Sequence, residues 1–179
     1  LFDPAVAAAE RTVLNQDFAK AERAISDALE RHPQDAGLLL RRAMVRLASA
    51  QPSDAEADAR LAIAHDPENP DLRRFLGSML LSMGRRDEGV EAWQQAFRLD
   101  PEDADTAEGL GELLISMGQY QDAVRPAETA TRLNPDSIRA WSVLAAARLA
   151  SGQVAPARQA AEQATAKGPE DPRAWIQLA

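Results

Sequence analysis

The chain has no cysteine, so a disulfide framework, a zinc knuckle and a thiol nucleophile are excluded, while the compartment stays open between cytoplasm and bacterial periplasm. Histidine is nearly as scarce. His32 and His65 each lie in a turn before a proline, with no second imidazole at helical spacing, so neither a metal site nor a histidine-activated nucleophile is expected. Aromatic residues make up only 4% of the chain against 45% hydrophobic, and the apolar content is mostly alanine and leucine, which pack helices closely instead of filling a wide core. No run of about 18 apolar residues occurs, which leaves no candidate membrane-spanning helix, and no basic-then-apolar leader opens the chain. Lysine is confined to Lys20 and Lys167, and the net charge of −8 tells against a nucleic-acid partner, because that affinity needs a concentrated basic face to neutralise phosphates. The richness in arginine and alanine matches the bias of a GC-rich bacterial genome.

Against these absences stands a strict metre. Pro33, Pro67, Pro101, Pro135 and Pro169 follow one another at intervals of 34 residues without insertion or deletion. A constant period of this length marks an array of small units, each unable to bury its apolar face alone. Aligned on the prolines, the units run over 2–35, 36–69, 70–103, 104–137 and 138–171, and a stub from Pro172 to Ala179 begins another. Three columns admit only small residues: Ala9, Ala43, Gly77, Gly111, Ala145 and Ala179; Ala21, Ala55, Gly89, Ala123 and Ala157; Ala28, Ala62, Ala96, Ala130 and Ala164. Small side chains let helix axes come closer than the usual spacing of roughly 8–10 Å, so these columns are expected to be helix crossings.

Between the columns, apolar residues recur at helical spacing, as in Leu76, Leu80 and Met83, and again after a break, as in Trp93, Ala96 and Phe97. Each unit therefore reads as two amphipathic helices. Gly84, Gly118 and Gly152 mark the break, where glycine can end a helix in the left-handed conformation. The second helix is expected to stop before Asp66-Pro67, Asp100-Pro101 and Asn134-Pro135, since the residue before proline is driven out of the helical region. Pro126 falls inside the fourth second helix, where it should bend the helix or cost about 3 kcal/mol. Trp93 is expected to plug the contact between the third and fourth units. Gly109-Leu110-Gly111 has the look of a phosphate loop but lies within a helix with no strand before it, and Gly111 belongs to a small-residue column.

The pattern resembles the tetratricopeptide repeat, carried by Trp141 with Leu144 and Ala145, Trp175 with Leu178 and Ala179, Leu76-Gly77, Leu110-Gly111, Gly118-Gln119-Tyr120 and Phe97-Arg98-Leu99-Asp100-Pro101. The resemblance covers essentially the whole chain. It implies an all-α, right-handed α-solenoid of five helix pairs plus the start of a sixth, forming a single domain over 1–179. It departs from the family pattern in the tyrosine slot of the first helix, held by Thr12, Arg46, Leu80, Leu114 and Arg148, and in the leucine slot at Arg42. The second unit also turns through Ala50-Gln51-Pro52-Ser53 without the usual glycine, so the first two units are expected to pack least regularly.

In such arrays the first helices line a concave groove that holds extended peptides or partner helices. The resemblance therefore places Arg41, Met44, Arg74, Phe75, Ser78, Glu108, Glu112, Arg139 and Ser142 as peptide contacts, beside apolar Leu40, Val143 and Leu149. The basic set with which some family members clamp the carboxylate tail of chaperones is absent. Asp105, Glu108 and Glu112 share one helix face, either to receive basic side chains of a ligand or to pair with Arg74 and Arg139. For Phe75, groove contact and burial between units are both open.

The functional expectation is a non-catalytic interaction scaffold with a protein or peptide partner and no cofactor or metal. The alternative is the repeat segment of a larger bacterial enzyme, such as a transferase or hydroxylase, or of an envelope assembly or export protein. The chain starts at Leu1 and stops within a unit, so it reads as a fragment, and the stub carrying Trp175 and Leu178 offers an apolar end for self-association.

Overall fold

The computed structural model describes residues 17–169. The first helix expected of the first unit, and the stub from Pro172 with its expected self-association, lie outside the described residues. Among the described residues there are nine helices and no strand. They are α1 (Phe18–Arg31), α2 (Ala36–Ala48), α3 (Pro52–His65), α4 (Pro70–Ser82), α5 (Arg86–Leu99), α6 (Ala104–Ser116), α7 (Tyr120–Leu133), α8 (Ile138–Ala150) and α9 (Val154–Lys167). First helices of 13 residues alternate with second helices of 14, and like helices begin 34 residues apart, so the proline metre is also the metre of the fold. The chain divides into two compact units, residues 1–92 and 93–179.

Local chemistry sets the helix ends. Asp35, Asn69, Asp103 and Ser137 cap the first helices α2, α4, α6 and α8 with side-chain oxygens that accept from the backbone N–H of the second or third helical residue. At their other ends Arg85 N–H donates to Leu80 O, Gln119 to Leu114 O and Gln153 to Arg148 O, the six-residue closure in which one residue turns left-handed. Gly84, Gly118 and Gly152 supply that residue, with φ of +79°, +74° and +79°. The glycine-free second turn closes the same way, Gln51 N–H donating to Arg46 O with Ala50 at φ +60°. An L-residue there costs roughly 1–2 kcal/mol. The helices before the metric prolines leave the helical region at His32, Asp66 and Asn134, as the following ring demands. α7 runs unbroken through Pro126, whose effect is thus the missing donor to the preceding turn and not a helix end.

Within each unit a first helix packs on its own second helix, and that second helix on the next first helix: α2 on α3 and α3 on α4 in the first unit, α6 on α7, α7 on α8 and α8 on α9 in the second. α6 also touches α8 directly. The described members of all three small-residue columns are buried, which is what allows these approaches. A Cβ added to Gly111 would lie 3.0 Å from Val143 Cγ1. The first unit's core joins Ile25, Leu29, Leu38, Leu39, Val45 and Leu72, with a second cluster at Ala43, Ala55, Ala59 and Met79. The second unit's core gathers Val143 and Leu144 with Ala127, Ala160 and Ala161.

Candidate protein-binding faces

In the first unit, Arg41 and Met44 stand three residues apart on one face of α2. Met44 is 51% exposed on a helix whose Leu38, Leu39 and Val45 are buried. On α4, Ser78 is exposed, and its hydroxyl donates to Arg74 O of its own helix at 3.0 Å. Arg74 itself pairs with Asp71 one turn earlier, Nη2 to Oδ1 at 2.5 Å. Phe75 is half-buried against the Ala43, Ala55, Ala59 and Met79 cluster, and Leu40 against the larger core.

In the second unit, the acidic stripe of α6 meets α8. Arg139 grips Glu112 with two guanidinium nitrogens and reaches Glu108 at 3.1 Å, while Glu108 also accepts from Ser137 Oγ at 2.8 Å. Ser137 thereby does two jobs, because the same oxygen caps α8 by accepting from Ala140 N–H. The hydrogen bonds to Glu112 raise the Arg139 pKa above its ordinary value, opposed by partial burial and helped through space by Glu112, Glu108 and Asp105. Of the two arginines expected near the stripe, Arg139 is thus engaged with it. Ser142 turns its hydroxyl back to Ile138 O at 2.9 Å. Val143 is core and Leu149 is exposed.

Beneath the first unit's face lies a polar cluster of a different kind. Asp58 on α3 is 4% exposed and accepts from Arg42 Nε and Nη2 at 2.8 and 2.7 Å and from Arg46 Nη1 at 2.9 Å. Arg46 Nε also donates to Glu22 of α1 at 2.8 Å. The bidentate bond to Asp58 raises the Arg42 pKa despite the opposing cost of burial.

Comparison with known proteins interprets this arrangement. A tetratricopeptide repeat model matches residues 80–146 and 114–179, and a second model of the same description matches residues 6–70. The chain belongs to the tetratricopeptide repeat family. No curated protein matches it. Among solved structures it is similar to that of MamA, at 23% identity over 93% of this chain and 91% of that one with a TM-score of 0.76. It is similar as well to YrrB, described as a TPR protein with an unusual peptide-binding site, at 18% identity over 98% and 90% with a TM-score of 0.77. Pseudomonas aeruginosa pilF follows at 22% identity over 98% and 80% with a TM-score of 0.72. Identities this low establish a shared fold alone, the all-α repeat fold, which serves generally as a protein–protein interaction scaffold.

Set beside other tetratricopeptide repeats, the second unit of the metre has exchanged apolar packing for charge. Arg42 and Arg46 hold slots where the family has leucine and tyrosine, and the departure expected to loosen packing is instead filled by Asp58. Its column otherwise holds Ala24, Ala92, Pro126 and Ala160. Two arginines in apolar slots and one aspartate in a small-residue column were the available signal in this tetratricopeptide chain. Gly109 has a similar explanation: a Cβ there would come within 2.8 Å of the Trp93 ring, so Trp93 of α5 seats on α6 at a bare patch of backbone. That is the contact between the third and fourth repeats expected of Trp93. Among the described residues no helix is long and apolar enough to cross a membrane, and no group of three His, Cys, Asp or Glu could hold a metal ion.

Proposed function

We propose that this repeat chain, read as a single repeat domain over 1–179, is a non-catalytic scaffold that takes a peptide or partner helix against the exposed face of its first helices. Arg41, Met44 and Ser78, with Arg74 and Phe75 beside them, supply contacts in the first unit. Glu108, Glu112, Arg139 and Ser142 supply them in the second. The observation that carries the reading is Met44, a flexible apolar side chain left in water beside Arg41 on a helix whose Leu38, Leu39 and Val45 are buried. A mixed surface of this kind suits an amphipathic helix, whose apolar side would cover Met44 while its charges meet Arg41 and the Arg139 cluster. The Arg139–Glu112 pair is solvent-accessible, so a ligand can exchange it at small cost, while Glu108 is the more buried partner.

The test is affinity capture with Arg41→Glu/Met44→Asp and, separately, Arg139→Glu, all at exposed positions. Loss of a co-purifying protein with an unchanged melting temperature supports the reading. Capture of the same proteins by all variants rejects it. Phe75 is unsuitable for this test because its packing would confound binding with stability.

A further inference from the structure

A cleft of about 310 Å³ opens in the second unit between α5 and α7, on the side of α6 away from the acidic stripe. Leu110 and Leu114 line it from α6, two residues on from Glu108 and Glu112 and hence on roughly the opposite face of the helix. Both leucines and the neighbouring Phe97 are buried, so the lining is apolar where it is deepest. Leu114 occupies the slot where the family carries tyrosine, and Pro126 lines the cleft together with it. The walls carry opposed cations, Arg98 on α5 and Arg125 on α7, both exposed and neither in an ion pair or hydrogen bond with any described residue. Asp122 is the single carboxylate of the lining.

The next cleft, one period along between α7 and α9, shows that this chemistry is local. There Arg148 replaces Leu114 and is tied to Glu128 at 2.8 Å, and Gln159 replaces Arg125. Arg132, the counterpart of Arg98, is already paired with Glu102 at 2.7 Å, and Glu128 and Glu162 line the space. The first cleft is therefore apolar with spare positive charge, and the second is polar and acidic.

We propose that the cleft between α5 and α7 binds an acidic segment of a partner protein, seating one apolar side chain on Phe97, Leu110 and Leu114 while Arg98 and Arg125 each take a flanking carboxylate. Guanidinium groups match carboxylates in bidentate geometry, and two unpaired ones on facing walls favour a ligand with acid on both sides of its apolar anchor. A volume at the lower end of ligand pockets suits one side chain better than a whole cofactor. This site is separate from the first-helix face, so either reading can fail alone.

The probe is a capped pentapeptide with a leucine flanked on each side by two aspartates, titrated into the isotope-labelled full chain and followed by amide chemical shifts. Saturable shifts centred on Arg98, Leu114 and Arg125, weakening as salt is raised, are expected. Arg98→Glu/Arg125→Glu should lower the affinity at least tenfold at an unchanged melting temperature. If that pair disturbs folding, Leu114→Tyr is the second variant, filling the cleft with the family's usual aromatic and abolishing the shifts. The proposal is overturned if the shifts are absent or fall at Glu108, Glu112 and Arg139. Equal binding of the lysine- or serine-flanked peptide, or undiminished binding by either variant, also overturns it.

Discussion

Removing Asp58 from beneath Arg42 and Arg46 should damage the fold far more than removing the whole charged cluster. Asp58→Ala deletes three charge-assisted hydrogen bonds, the two from Arg42 and one from Arg46. It leaves two guanidiniums whose side chains are only 19% and 20% exposed facing an alanine. Stripping one partner from a buried pair costs about 3–5 kcal/mol, and the residual exposure of the arginines together with the Arg46–Glu22 bond places this case near 3 kcal/mol. The triple variant Arg42→Leu/Arg46→Tyr/Asp58→Ala restores the family's apolar slots and the alanine that recurs in the Asp58 column. Apolar replacement of a buried ion cluster is neutral or stabilising by about 1–4 kcal/mol, so the triple variant should be at least as stable as the parent. Urea unfolding followed by circular dichroism gives the total. Amide exchange in α2 and α3 gives the local loss, which matters because repeat arrays need not unfold in one step. An Asp58→Ala cost below about 1 kcal/mol would show that water, not Asp58, solvates the arginines. A triple variant as unstable as the single one would show that the slots cannot accept apolar side chains.

Ala50→Gly should raise stability by about 0.5–1 kcal/mol in the same melts, since glycine relieves the left-handed strain at a smaller entropic cost. Gly109→Ala should destabilise by about 1–3 kcal/mol through its clash with the Trp93 ring, and Trp93→Leu should recover part of that loss, read as a coupling in a double-mutant cycle. Pro126→Ala should add about 1–2 kcal/mol by restoring a donor to an unbroken helix, with circular dichroism showing no loss of helix. The Glu102 carboxyl is held below its ordinary pKa chiefly by its hydrogen bond to Arg132, so the pair is intact above the usual carboxylate range and is lost as pH falls through the folded value. An NMR titration should find the Glu102 pKa rising toward the ordinary glutamate value in Arg132→Gln, and an unmoved value would remove Arg132 as the cause.

The helices were legible because their determinants are local. Proline after the second helix, glycine or a short turn after the first, and small residues at fixed places are written into each period and need no distant partner to be read. The same holds for the family, whose signature is a set of single residues at set spacings. Side-chain roles at the candidate faces were less legible. Met44 and Phe75 both fall in slots that the resemblance turns toward a ligand, yet one is exposed and the other half-buried, because accessibility depends on the side chains of neighbouring helices. Glu108 and Glu112 were legible as a stripe, while their grip on Arg139 rests on α6 touching α8 across a full period.

The sequence by itself determined the ends of the described helices and the spacing that makes them an array, since hydrogen bonding and backbone sterics act within a few residues. Only the tertiary structure decided which departures from the repeat pattern matter. Arg42 and Arg46 read as flaws until Asp58, sixteen and twelve residues away, is found between them. Leu114 reads only as a departure in the tyrosine slot until it is found lining a cleft with Arg98 and Arg125. Charge compensation and vacant volume belong to several chain segments at once, and no single segment carries them.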